Sequence, residues 1–98
     1  MIKQIINESE WVQTKLRVEV DGITITYNRM PYDFGYTFRA SVPKENEELG
    51  KKAILEVVSA MESQSYDHGA SWRRTATEFH YRDYDLIGNI WFRVRDAG

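Results

Sequence analysis

His68 and His80 are the only imidazoles in the chain, and Asp67, Asp83 and Asp85 are the acids nearest to them in sequence. General acid–base chemistry needs a histidine oriented by a carboxylate inside a pocket that excludes water. The local spacing does not encode this: His80 and Asp83 would point to opposite faces of one strand, and adjacent Asp67 and His68 match no catalytic interval. Asp83 and Asp85 would share a strand face, but no third or fourth metal ligand follows at a recognisable spacing. The absence of cysteine removes disulfides, thiolate nucleophiles and thiolate zinc sites. Phosphate-cradling glycine loops, nucleophile elbows, dinucleotide fingerprints and zinc-protease helices are also missing. The sequence therefore predicts no catalytic residue, no metal and no cofactor. A small hydrolase or metal-dependent enzyme using His68 or His80 is carried only as the third of three readings.

Binding chemistry is better represented. Tyr, Trp and Arg give rigid contact area with a polar handle and are enriched at interface hot spots. Trp91, Arg93, Arg95 and Tyr81, together with Phe79, Asp83 and Asp85, are expected on the solvent side of a carboxyl-terminal hairpin, which Lys15, Arg17 and Arg39 would extend. The stretch from Tyr66 to Arg74 lacks periodicity and reads as a loop, in which Trp72, Arg73 and Arg74 could clamp a carboxylate, a phosphate or a base. The plain alternatives are a solvated sheet face, and a Trp72 that plugs the end of the core. The leading reading is a non-enzymatic module that contacts another macromolecule, a protein, in an adaptor, immunity or antitoxin-like, or inhibitor role. The second is nucleic-acid binding through Arg17, Arg39, Arg73, Arg74, Arg93 and Arg95, if folding gathers them. Two sheet edges and Trp91 also leave room for a homodimer.

These residues depend on a small set of elements. Val12, Thr14, Leu16, Val18 and Val20 alternate with polar residues, Asp21-Gly22 suits a two-residue turn, and Ile23, Ile25 and Tyr27 return as a second strand. Pro31 and Gly35 interrupt the pattern, and a third strand from Tyr36 to Val42 turns Tyr36, Phe38, Ala40 and Val42 inward. Phe34 is expected to tuck inward as well. Between Lys44 and Tyr66, Leu49, Ala53, Ile54, Val57, Val58, Ala60 and Met61 share half of a helical wheel. Glu45, Glu47 and Glu48 suit its positive amino-terminal end, and Glu47 and Glu48 each precede a lysine by four residues. Gly50 marks a late start or a close approach to the sheet, and Gly69 a stop. Thr75 to Ile87 and Ile90 to Arg95 complete the strands. The three-residue loop Ile87-Gly88-Asn89 then pairs Leu86 with Ile90, Tyr84 with Phe92, Asp83 with Arg93 and Tyr81 with Arg95. In this register Phe92 is covered by the helix and Trp91 is not.

The expected fold is α+β: a mainly antiparallel five-stranded sheet with one amphipathic helix on one face, in the order β-β-β-α-β-β, as a single domain over residues 1–98. That length suits one hydrophobic core. A net charge of −2 and an isoelectric point near 5.7 give no global attraction to phosphate backbones or anionic lipid, so any such affinity must be local. No apolar run approaches a membrane span or a secretory leader, which makes the cytoplasm the expected compartment.

Overall fold

The computed structural model of the chain describes residues 16–65 and 70–96. Asp21 and Gly22 both adopt positive φ, 51° and 81°, the backbone that a two-residue hairpin turn matched to strand twist requires. They join β1 (Leu16–Val20) to β2 (Ile23–Arg29) with Val20 opposite Ile23 and Val18 opposite Ile25, as the alternation predicts. The expected first-strand residues Val12, Thr14 and Lys15 lie outside the described residues. β3 (Gly35–Ala40) pairs antiparallel with β2. Its inward residues are those expected: Tyr36, Phe38 and Ala40 are buried, as is Val42 just beyond the ladder.

A 3-10 turn (Lys44–Asn46) leads into α1 (Glu47–Gln64), which buries Gly50, Ala53, Ile54, Val57, Val58 and Met61 against the sheet. Leu49 is an exception to the expected apolar face and is 56% exposed. It lies about 100° around the helix from Gly50, which is near the centre of the buried stripe, so the wheel carries it past the edge of contact. Lys51 takes both acidic partners at the helix start, Glu47 at 3.1 Å and Glu48 at 3.4 Å, in place of the separate Glu48–Lys52 pair the spacing suggests. Gly50 makes the close approach anticipated for it: a β-carbon there would come within 2.8 Å of a Val42 methyl.

The carboxyl-terminal half follows the expected order of elements but not the expected boundaries. β4 (Ala70–Arg82) begins before Trp72, so Ala70 to Arg74 are strand rather than loop. β5 (Asp85–Asp96) contains Ile87, Gly88 and Asn89 within its length. The turn is Asp83-Tyr84, where Asp83 takes φ 59° and Tyr84 is 89% exposed. The strand order is β1-β2-β3-β5-β4, so β5 is inserted between β3 and β4 and every neighbouring pair is antiparallel. The register therefore sets Tyr81 opposite Leu86 and Arg73 opposite Arg93, and the predicted pairs Asp83–Arg93 and Tyr81–Arg95 do not form.

Gly88 looks like a turn in the sequence because glycine commonly breaks strands. Here it faces the helix, and a β-carbon on it would lie 2.8 Å from the Phe79 ring and 3.4 Å from an Ile54 methyl. The missing side chain is the seat of that ring. Substituting Gly88→Ala is expected to destabilise the fold by about 1–3 kcal/mol through overpacking, read as a lower urea midpoint at unchanged slope.

Candidate functional site

Helix α1 covers one face of the sheet, and the cross-strand register identifies what remains on the other. The uncovered face carries Arg17 and Glu19 from β1, Thr24, Thr26 and Asn28 from β2, and Thr37 and Arg39 from β3. From β5 it takes Asp85, Ile87, Asn89, Trp91, Arg93 and Arg95; from β4, Ser71, Arg73, Ala76, Glu78, His80 and Arg82. Arg17, Arg39, Arg73, Arg82, Arg93 and Arg95 thus outnumber Glu19, Glu78 and Asp85 on one side of a chain whose net charge is negative. The opposite layer, formed by the helix, holds Glu47, Glu48, Glu56 and Glu62.

Of the residues expected to bind, Trp91, Arg93, Arg95 and Arg73 lie on this uncovered face, and the other three do not. A bulge between Arg74 and Ala76 inserts Thr75 as an extra residue, which exchanges the parity of β4. Before the bulge the even positions meet the helix, and after it the odd ones do. Trp72 is consequently core, 1% exposed, with its ring 5.0 Å from Phe34 and 5.5 Å from Phe92. Phe79 and Tyr81, expected on the solvent side, pack against the core from the helix side. The Tyr81 hydroxyl reaches the Val42 and Pro43 carbonyls at 3.1 and 3.0 Å, tying the ribbon to the chain entering the helix.

Arg74 belongs to the helix face. Its guanidinium donates to Glu62 Oε1 at 2.7 Å and to Ser59 Oγ at 3.0 Å, while its amide donates to Glu62 Oε2 at 2.8 Å. The Trp72 amide donates in turn to Ser65 Oγ at 3.1 Å. Two amides of an edge strand are thereby taken by helix side chains, which blunts that stretch of edge against pairing with another chain.

The Trp91 row is unusual in its neighbours. Gly35 lies opposite it on β3 and Ala76 on β4, so the half-buried indole stands between the smallest side chains available. Phe92, its neighbour in sequence, is buried on the helix side, as the alternation predicts. Beyond Trp91 the ladder sets Arg73 opposite Arg93 and Ser71 opposite Arg95, and these four residues line a concavity of about 340 Å³. Neither Arg93 nor Arg95 forms an ion pair among the described residues. Elsewhere on the face Arg39 is neutralised by Asp85 at 2.7 Å. A second concavity, of about 420 Å³, lies at the other end between Pro43–Glu45 and the Asp83-Tyr84 turn.

His80 is exposed on the uncovered face opposite Ile87, and its side chain makes no hydrogen bond or ion pair among the described residues. His68 and Asp67 lie outside the described residues, as do Tyr66 and Gly69. No group of three or more potential metal ligands occurs among the described residues. No described helix is long and apolar enough to cross a membrane. Comparison with protein-family models, curated proteins and solved structures returns no match.

Glu62 reports the electrostatics of the helix–strand link. Burial raises its carboxyl pKa, but the side-chain and backbone hydrogen bonds from Arg74 and the charges of Arg74 and Arg73 outweigh this and hold it below its ordinary value of 4.5. A depressed carboxyl stabilises the fold above its unfolded pKa and ceases to do so as pH falls through its folded value. The Glu62→Gln variant should be about 1–2 kcal/mol less stable than the parent at pH 7. In urea titrations across pH, that gap should close progressively below about pH 4.

Proposed function

We propose that the protein is a non-catalytic binding module that docks a protein partner on the uncovered sheet face, with Trp91 as the apolar anchor and the arginines around it as the charged contacts. The single observation that carries this is the company Trp91 keeps. A half-buried indole flanked by Gly35 and Ala76 is continuous with Arg73, Arg93 and Arg95. Indole and guanidinium groups supply most of the binding energy where protein surfaces meet, and arginine is enriched there while lysine is depleted. The described strands contribute arginine to this face and no lysine. Such a surface suits a partner whose own face is acidic around an apolar centre.

Nucleic acid is the second reading, favoured by one specific observation. Five of the six arginines considered for it, Arg17, Arg39, Arg73, Arg93 and Arg95, share the uncovered face, and only Arg74 turns away. Against it stand Asp85, Glu78 and Glu19, which are interleaved with those arginines where a phosphate backbone would have to run.

Replacing Trp91 and Arg93 together by alanine should leave cooperative unfolding within a few degrees of the parent, because neither side chain is part of the core cluster. The double variant should lose a partner protein that the parent and a helix-face control, Glu56→Ala, both retain in affinity pull-down. Undiminished recovery would remove this face from consideration. Retention on heparin with a steep loss of affinity as salt rises would transfer the assignment to nucleic acid.

A further inference from the structure

We infer that the outer edge of β4 from Ala76 to Arg82 is a self-pairing site, along which a second copy of this chain adds antiparallel to make a two-fold dimer with one continuous sheet. β4 ends the strand order, so one side of it has no neighbouring strand. The two halves of that edge differ. Before the bulge the outward amides, those of Trp72 and Arg74, are taken by Ser65 and Glu62. After it they are open. The Asp83-Tyr84 turn sets Arg82 opposite Asp85, and residues flanking a two-residue turn exchange hydrogen bonds with each other. By alternation His80, Glu78 and Ala76 also bond to β5, while Thr77, Phe79 and Tyr81 direct their N–H and C=O groups outward. These main-chain groups have no partner among the described residues.

The usual protections of an edge are missing from this stretch. Ala76 to Arg82 contains no lysine and no proline, and Ala76, Thr77, Glu78, His80 and Arg82 are exposed. Its residues also complement themselves. A two-fold axis at Phe79 sets Thr77 against Tyr81 of the second copy and Phe79 against its own counterpart, so every outward group of the stretch is paired. On the uncovered face the same axis sets Glu78 against His80 of the second copy, with Arg82 of that copy on the diagonal, within reach of a long side chain. Glu78, His80 and Arg82 form no ion pair among the described residues. Arg82 meets Ala76, so no like charges stand directly opposite across the seam. Moving the axis to His80 would set imidazole against imidazole and leave Thr77 opposite Asp83, whose φ of 59° takes it out of the strand.

On the helix side Phe79 is only partly covered in the single chain, and a second ring beside it hides more of that surface. The axis is perpendicular to the sheet, so both helices lie on one side and both Trp91 faces on the other. The dimer therefore leaves the uncovered face open and is independent of what that face binds. A short ribbon makes a small interface, so the expected Kd is on the order of 10–100 μM.

Sedimentation of the full chain from about 5 μM to about 1 mM should show a monomer–dimer equilibrium that saturates at the dimer, as a closed two-fold requires. The amide NMR signals that move on dilution should be those of Thr77, Phe79 and Tyr81. Thr77→Pro removes an outward amide without losing a bond to β5, so it should weaken the dimer at least tenfold while unfolding cooperatively. Glu78→Arg should weaken it by roughly tenfold, because the axis repeats each contact. Adding Arg82→Glu should restore most of that loss, which damage to the single chain would not allow. Should Thr77→Pro fail to fold, the charge reversal and its rescue decide alone. A monomer at about 1 mM, mass that grows past the dimer, indifference to Thr77→Pro, charge reversal without rescue, or shifts confined to the Trp91 row would overturn this edge as the dimer seam.

Discussion

One extra residue in β4 controls which side chains meet the helix and which meet solvent. Thirteen residues of strand cannot keep Trp72, Phe79 and Tyr81 on one face by strict alternation, because the first is even and the others odd. Inserting Thr75 as a bulge resolves the conflict. Trp72 enters the aromatic cluster with Phe34, Tyr36 and Phe92, while Phe79 settles over Gly88 and Tyr81 reaches the chain before the helix. The same slip decides the opposite face: Arg73 emerges across from Arg93, and Ala76 comes to lie beside Trp91. Core and candidate site are therefore two consequences of one irregularity, which is how bulges commonly re-aim side chains.

The helix takes advantage of that arrangement at its carboxyl-terminal end. Glu62 and Ser65 accept the amides of Arg74 and Trp72, and Ser65 Oγ donates onward to the Glu62 carbonyl at 2.7 Å. The helix is thus joined to the first turn of β4 by polar bonds as well as by the stripe from Gly50 to Met61. Covering this stretch of edge disfavours strand addition along Trp72–Arg74.

Local signals account for much of the fold. Asp21-Gly22 permits positive φ at both turn positions, so the first hairpin follows from the dipeptide and its flanking alternation. The helix stripe is equally plain in the spacing of Ala53, Ile54, Val57, Val58 and Met61, and the burial of Phe92 beneath it with Trp91 on the other side follows from period two. The second hairpin was hidden because its chemistry is inverted. Its turn, Asp83-Tyr84, contains no glycine, while the glycine that resembles a turn is a strand residue emptied of its side chain to admit Phe79. No periodicity identifies a glycine needed by a ring nine residues away. A turn at Gly88 puts Tyr81 on the wrong face, and the stretch up to Arg74 shows no periodicity and reads as loop, so the opposition of Arg73 and Arg93 is not visible in the sequence. The insertion of β5 between β3 and β4 is a long-range choice that no local window contains.

Net charge was a poor guide for a related reason: it averages over faces that the fold separates. The total of −2 sums 13 basic and 15 acidic residues, yet four acids lie on α1 while six arginines lie on the opposite face of the sheet. Within the sheet face a second separation matters more. Asp85 closes on Arg39 at 2.7 Å, so the middle of the face is internally compensated, whereas Arg93 and Arg95 form no ion pair among the described residues. Attraction for an anion is therefore concentrated at one corner rather than spread along the sheet. An acidic patch around an apolar contact fits that distribution better than a long uniform polyanion, whose charges would also run against Asp85 and Glu78.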